Sequence, residues 1–230
     1  STPIKSSAAS DVYKRQSQNP FKMTSFDDKL HKMSEARGYI NPYIMIEKEM
    51  NMSQLDIFSK MMTDRIIFFN SEVNDDVCGV VMAQLLYLDS EEEKDIKLYI
   101  NSPGGSVSAG LGVVSVMDFI NSDVSTVNLA LAASMGSILL MSGTKGKRYA
   151  LKYSKTLLHQ PLSGMNTSQE SDIAIHAAEM AKCKKQLYDI IVECTGQSYE
   201  RIEKDADRDF WLTAEEALTY GCVDEVIRKK

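Results

Sequence analysis

Residues that would announce a metal, a disulfide framework or a membrane are scarce in this chain. Its 230 residues include three histidines, one tryptophan, five prolines and four cysteines. Cys78, Cys183, Cys194 and Cys222 are scattered, with no CxxC pair and no histidine at ligand spacing, so no metal is expected and the thiols are predicted to be reduced and buried. No apolar run reaches the roughly 18 residues that a spanning helix needs, and no basic-then-apolar signal opens the chain. A cytoplasmic location with no membrane partner is the resulting expectation. Cationic charge is not in excess either: 26 Lys and Arg stand against 32 Asp and Glu, a net charge of −6, which leaves no polycationic surface for nucleic acid.

What remains is an ordinary globular composition, 43% hydrophobic and 25% charged. The first fifty or so residues look unlike the rest, 1–20 being polar and aperiodic, which leaves about 180 for one compact α/β core. Within the opening stretch, DVYKRQ at 11–16 reads like a translated sequencing adapter. Residues 1–22 are therefore expected to be an artefactual or disordered leader, with Met23 the natural start and 23–51 an N-terminal extension.

From Met52 onward apolar patterning alternates between helical and extended periods. MSQLDIFSKMMTD at 52–64 reads as helix, RIIFF as strand, and Asn74 as the cap of a helix over NDDVCGVVMAQLLYLDSE. KLYIN at 97–101 is a buried strand, SVSAGLGVVSVMDFI a helix of small and apolar residues, and VSTVNLAL a second strand, a spacing that predicts a parallel sheet. SMGSILLMSG continues as helix, KRYAL and KTLLH as strands, and EAL with CVDEVI as a closing helix and strand. Between 169 and 195, Ile173, Ala177, Met180, Leu187, Ile191 and Cys194 recur mostly at threes and fours. A helix that long either lies on the surface on one apolar stripe or serves as an oligomerisation handle.

Three short motifs carry chemistry. Ser134 in AASMG lies where an apolar strand meets a helix, close to the strand, turn, helix arrangement of a nucleophile elbow, with Ala132 in place of the first glycine of GxSxG. A helix N-terminus offers free N–H groups to a developing oxyanion, although a serine there can equally be a plain helix cap. Among the three histidines, His31 falls in the extension and His176 beside the long helix's apolar stripe, which leaves His159, at a strand end in HQP, as the candidate base. Gly104 and Gly105, following Pro103, allow positive φ and close backbone approach, as an oxyanion hole or a tight turn requires. A serine, a histidine and a backbone donor are the parts of a serine hydrolase. Spacing does not single out a third member among 32 acidic residues.

Taken in register, YINSPGG at 99–105, AASMGS at 132–137, GTKGKR at 143–148, LLHQPLSG at 157–164, TGQS at 195–198 and DADRDFWLTAEEALTYGCVDEVI at 205–227 closely resemble the Clp protease proteolytic subunit family. The resemblance implies an α/β, crotonase-like fold with a protruding handle helix at about 169–195, within a peptidase domain at 52–230 preceded by an axial segment at 23–51. By position it implies Ser134 as nucleophile, His159 as general base, Asp209 as the acid orienting the imidazole, and the N–H groups of Gly105 and Met135 as oxyanion donors. Asp207 and Arg208 fall where relatives pair their rings. The implied activity is ATP-dependent serine endopeptidase, cleaving unfolded polypeptides inside two stacked heptameric rings. No cofactor is implied in this subunit, and ATP would be used by a partner AAA+ unfoldase. Ala130, Lys152 and a longer loop after His159 depart from the family pattern. Two alternatives stay open at this point, a non-catalytic or specialised paralogue in a mixed ring and a crotonase-fold acyl-CoA enzyme.

Overall fold

The computed structural model describes residues 43–48, 51–164 and 169–229. His31, the expected leader and most of the extension lie outside them. Two units are distinguished, one ending at Ile57 and one beginning at Phe58. In the first, β1 (Tyr43–Lys48) and β2 (Asn51–Asp56) pair antiparallel, from Tyr43 opposite Asp56 to Lys48 opposite Asn51. The helix expected over 52–64 is thus corrected: α1 begins only at Ile57 and runs to Thr63. Met52 to Leu55 suit either period, and cross-strand pairing with β1, a partner no local pattern announces, draws them into extended form.

The second unit is built on a mixed sheet. β3 (Ile66–Phe69), β4 (Ile96–Ser102) and β5 (Val124–Ala133) lie side by side in parallel. The crossovers are α2 (Asp75–Glu91) and α3 (Val107–Phe119). Asn74 caps α2 by accepting from the Val77 N–H at 3.0 Å, and Cys78, Val81, Leu85 and Leu88 bury one face at spacings of three and four. Ser106 caps α3 in the same way, on the Ala109 N–H. At the other end of α2, Arg65 donates to the carbonyls of Leu88, Lys94 and Asp95, where a cation suits the negative end of the helix.

β5 is long enough to serve two partners in succession. Its first half pairs with β6 (Arg148–Leu151) and its second with β7 (Lys155–Leu158), both parallel. The far edge beyond β6 is β9 (Glu225–Ile227), also parallel. β8 (Phe210–Thr213) then runs antiparallel to β7, so the sheet is not purely parallel as the crossover spacing predicts. The chain reaches β8 from α6 (Tyr199–Asp205), which delivers it onto the edge of β7 running in the opposite direction. Neither α6 nor β8 stands out in the sequence, because α6 carries only two apolar residues in seven and β8 is only four residues long.

Helix α4 (Met135–Met141) is wholly buried against β5, and α7 (Ala214–Tyr220) opens with a capping box between Thr213 and Glu216. The longest helix, α5, spans Glu170–Thr195 and ends at Gly196 in the left-handed conformation. Its buried residues, Leu187, Tyr188 and Ile191, all fall in the C-terminal half. Ile173 is 48% exposed and Ile175 70%, so the N-terminal half of the stripe is uncovered. All four cysteines are free; Cys78 and Cys222 are buried as expected, whereas Cys183 and Cys194 are only partly so, because they sit on the outer helix α5.

Candidate active site

The register of β5 and β7 brings Ser134 and His159 to the same end of the sheet. Ala133 stands opposite Leu157, and the Ser134 N–H donates to the Leu157 carbonyl at 3.0 Å, so the residues following both strands emerge together. A cavity of about 210 Å³ opens there, with Ser134, Met135, Gly105 and His159 on its wall and Ile138, Leu158, Leu187 and Ile191 giving it an apolar side. His176, the other histidine among the described residues, lies away from this wall and bonds Ser163 Oγ through Nε2 at 2.8 Å.

Ser134 occupies the cap position of α4 without capping it. Its φ of 54° and ψ of −124° place a non-glycine residue in strained backbone, and its side chain makes no cap hydrogen bond. A plain helix-capping serine has extended backbone and a bonded hydroxyl, as Asn74 and Ser106 illustrate at α2 and α3 in their side-chain bonds. The sharp turn instead presents Oγ at the head of a buried helix, which is the geometry of an elbow.

Opposite that turn, Gly104 (φ 89°) and Gly105 (φ 146°) lie so near their neighbours that side chains would not fit. A Cβ on Gly104 would sit 2.6 Å from the Ala133 carbonyl oxygen and from Ser134 Cβ; one on Gly105 would sit 2.3 Å from the Val73 oxygen. Val73 fixes this turn from outside, donating its N–H to the Gly104 carbonyl and accepting the Ser106 N–H, each at 2.8 Å. Neither the Gly105 nor the Met135 N–H is paired among the described residues.

Asp209 lies just before β8, where the antiparallel register sets Leu158 opposite Phe210. Its Oδ1 stands 3.5 Å from His159 Nδ1; the imidazole is 18% exposed and the carboxylate 65%. Gln160 holds the approach, its backbone N–H bonded to the Ala206 carbonyl at 2.8 Å and its Nε2 to the Asp207 carbonyl at 3.0 Å. Sequence reasoning gave Gln160 no role, although its place between His159 and Pro161 was a signal. Asp207 and Arg208 point outward, 64% and 92% exposed and 4.0 Å apart, too loose to stabilise the fold. Tyr188, also on the cavity wall, is fully buried with a hydroxyl that has no partner among the described residues, and burial first and then Glu203 push its pKa up to about 12.

Among the described residues no cluster of three or more His, Cys, Asp or Glu could hold a metal ion, and no helix is long and apolar enough to cross a membrane. The cavity wall offers the hydroxyl of Ser134, the imidazole of His159 and the backbone amides of Gly105 and Met135.

Known proteins with this sequence pattern agree with one another. The family model described as Clp protease matches residues 48–230. An ATP-dependent Clp protease proteolytic subunit of Bacteroides fragilis is 53% identical over 194 residues, covering 84% of this chain and 93% of that one. One from Porphyromonas gingivalis is 50% identical over 193 residues, covering 84% and 86%. The ATP-dependent Clp protease proteolytic subunit 2 of Prochlorococcus marinus is 52% identical over 174 residues, covering 75% and 87%. On those matches the chain belongs to the Clp protease family and is a serine-type peptidase.

Proposed function

We propose that Ser134, His159 and Asp209 form the catalytic triad of this peptidase, with the Gly105 and Met135 N–H groups as its oxyanion hole. The observation that carries the reading is the shared cavity of Ser134 and His159, with Asp209 Oδ1 3.5 Å behind the imidazole. His159 Nε2 takes the hydroxyl proton as Ser134 Oγ bonds to the scissile carbonyl carbon, and Asp209 holds the proton on Nδ1. The carbonyl π pair moves to oxygen, where the two amides stabilise it. Collapse expels the amine, which takes the proton from Nε2, and leaves an ester on Ser134. Water, deprotonated by the same imidazole, then hydrolyses that ester and restores the hydroxyl. The apolar wall of Ile138, Leu187 and Ile191 accepts an apolar side chain beside the scissile bond.

The unit works in an assembly of two stacked heptameric rings served by a Clp-type AAA+ unfoldase, which spends the ATP; this subunit needs no cofactor. Support comes from the names of the relatives and from α5, whose 26 residues extend about 39 Å and bury side chains only in the C-terminal half. The uncovered Ile173 and Ile175 then meet a second copy, and Asp207 with Arg208 lies at the same junction.

Hydrolysis of a fluorogenic peptide by wild type and by Ser134→Ala tests the site, together with labelling by a fluorophosphonate. Loss of both in the variant is expected. Full hydrolysis by Ser134→Ala would overturn the assignment, and an inactive, unlabelled wild type in assembled form would indicate a non-catalytic ring subunit. A light-scattering mass of a monomer for active protein would exclude the ring chamber.

A further inference from the structure

Two buried serines outside the proposed triad are bonded to the backbone on either side of the oxyanion donors. Ser137 is 1% exposed and its Oγ donates to the Ser134 carbonyl at 2.6 Å, alongside the Ser137 N–H at 2.9 Å. That carbonyl belongs to the same peptide unit as the Met135 N–H. In a trans, planar amide the two point in opposite directions, so fixing the oxygen fixes the direction of the hydrogen. The Gly104–Gly105 unit is held at its carbonyl by the Val73 N–H at 2.8 Å, while Ser102, 0% exposed, accepts the N–H of the preceding Pro103–Gly104 unit on Oγ at 3.2 Å.

We infer that Ser137 is a positioning residue for peptide hydrolysis: its hydroxyl locks and polarises the Ser134–Met135 amide so that the Met135 N–H is aimed at the developing oxyanion. The inference rests on the proposed oxyanion hole. Two features make it more than a helix-end bond. It adds to the backbone bonds that the Ser137 and Ile138 N–H groups already make to that oxygen, and it lies at the one strained non-glycine residue of the site. A carbonyl that accepts more strongly polarises its amide, making the N–H on the other side a better donor. Strain at φ 54° also gives the Ser134 turn a reason to relax, and the Ser137 hydroxyl opposes that relaxation from the first turn of α4.

Removing an oxyanion donor outright costs on the order of 10²- to 10³-fold in kcat. Loosening one while its backbone anchor remains should cost a fraction of that. For Ser137→Ala we expect kcat for a fluorogenic peptide to fall roughly three- to tenfold with KM little changed, and the affinity for a peptide boronate, whose tetrahedral adduct places an oxygen in the hole, to fall by the same factor. Ser137→Thr, which keeps the hydroxyl, should restore both. Ser137→Cys, similar in volume but a weak donor, should fall between, and it carries the test if the alanine variant does not fold. Unchanged kcat and boronate affinity in a folded alanine or cysteine variant would overturn the inference while leaving the triad intact. A raised KM with unchanged kcat would overturn it too, by making Ser137 a ground-state substrate contact. Wild type that neither reacts with a fluorophosphonate nor cleaves peptide would remove the triad reading itself, and the inference with it.

Discussion

Asp209 reaches His159 from the solvent side: its Oδ1 is 3.5 Å from Nδ1, yet its side chain remains 65% exposed while the imidazole is 18% exposed. A buried triad carboxylate replaced by its amide loses about 10⁴-fold in kcat because the imidazole adopts the wrong tautomer. Water around Asp209 already weakens the orienting interaction, so a smaller loss is expected here. Asp209→Asn should lower kcat for a peptide by about 10²- to 10³-fold with KM little affected, measured under saturating substrate. A variant within twofold of wild type would remove Asp209 from the triad.

At Gly104 the turn and the nucleophile touch. A methyl group there would meet the Ala133 carbonyl and Ser134 Cβ at 2.6 Å, both fixed parts of the elbow, and φ of 89° penalises any L side chain. Gly104→Ala should therefore cost about 1–3 kcal/mol in stability from the backbone alone and reduce peptide hydrolysis at least tenfold by displacing Ser134 or Gly105. Chemical denaturation and kcat on one preparation check both halves. Wild-type activity in this variant would show that the turn can move without disturbing the site.

The legibility of these features in the sequence follows their range. β4, β5, α2 and α3 were readable because each is long, buried along one face or both, and bounded by turn or cap residues such as Asn74 and Pro103. Ser134 and His159 were readable because one falls at a strand-to-helix junction and the other is among few competitors. Asp209 was not, since nothing local separates it from Asp205 or Asp207; only the return of β8 onto β7 puts it behind the imidazole. β2 was misread as helix for the same reason, its pairing with β1 being invisible to a local period. Ser137 was passed over because its importance lies in a bond to the Ser134 carbonyl, not in residue type or spacing.

Tyr188 offers a stability test of a different kind. Its ring packs edge-on to Tyr199 at 5.7 Å and the Lys184 ammonium sits 5.3 Å from its centroid, but its buried hydroxyl has no partner among the described residues. An unpaired buried polar group costs about 1–3 kcal/mol. Tyr188→Phe, which keeps the ring and its contacts, should leave stability unchanged or raise it by up to about 1 kcal/mol, a rise of about 2–4 °C in Tm. A loss above about 1 kcal/mol in denaturant titration would mean that the hydroxyl is bonded through water in solution.

The bond that ties the start of β6 to the approach to β9 should make the fold acid-sensitive. The Arg148 side chain, 4% exposed, donates to Asp224 through Nε at 2.9 Å and Nη2 at 2.6 Å, and through Nη1 to the Cys194 carbonyl at 2.8 Å. Burial alone would raise the Asp224 pKa, but the Arg148 guanidinium and the N–H groups of Arg148 and Gly146 outweigh it and hold the carboxyl below its ordinary 3.8. A carboxylate with a depressed folded pKa contributes stability that is complete above 3.8 and is lost as pH falls through the lower folded value. Asp224→Asn leaves a buried guanidinium without its counter-ion, so at pH 7 the variant should be about 3–5 kcal/mol less stable in urea titration. That gap should hold down to about pH 4 and narrow below it, as wild type itself takes up the proton and converges on the variant. A gap absent at pH 7 would show that solvent reaches the pair and screens it, and that β6 and β9 are held by their backbone ladder and by packing around Val226 instead.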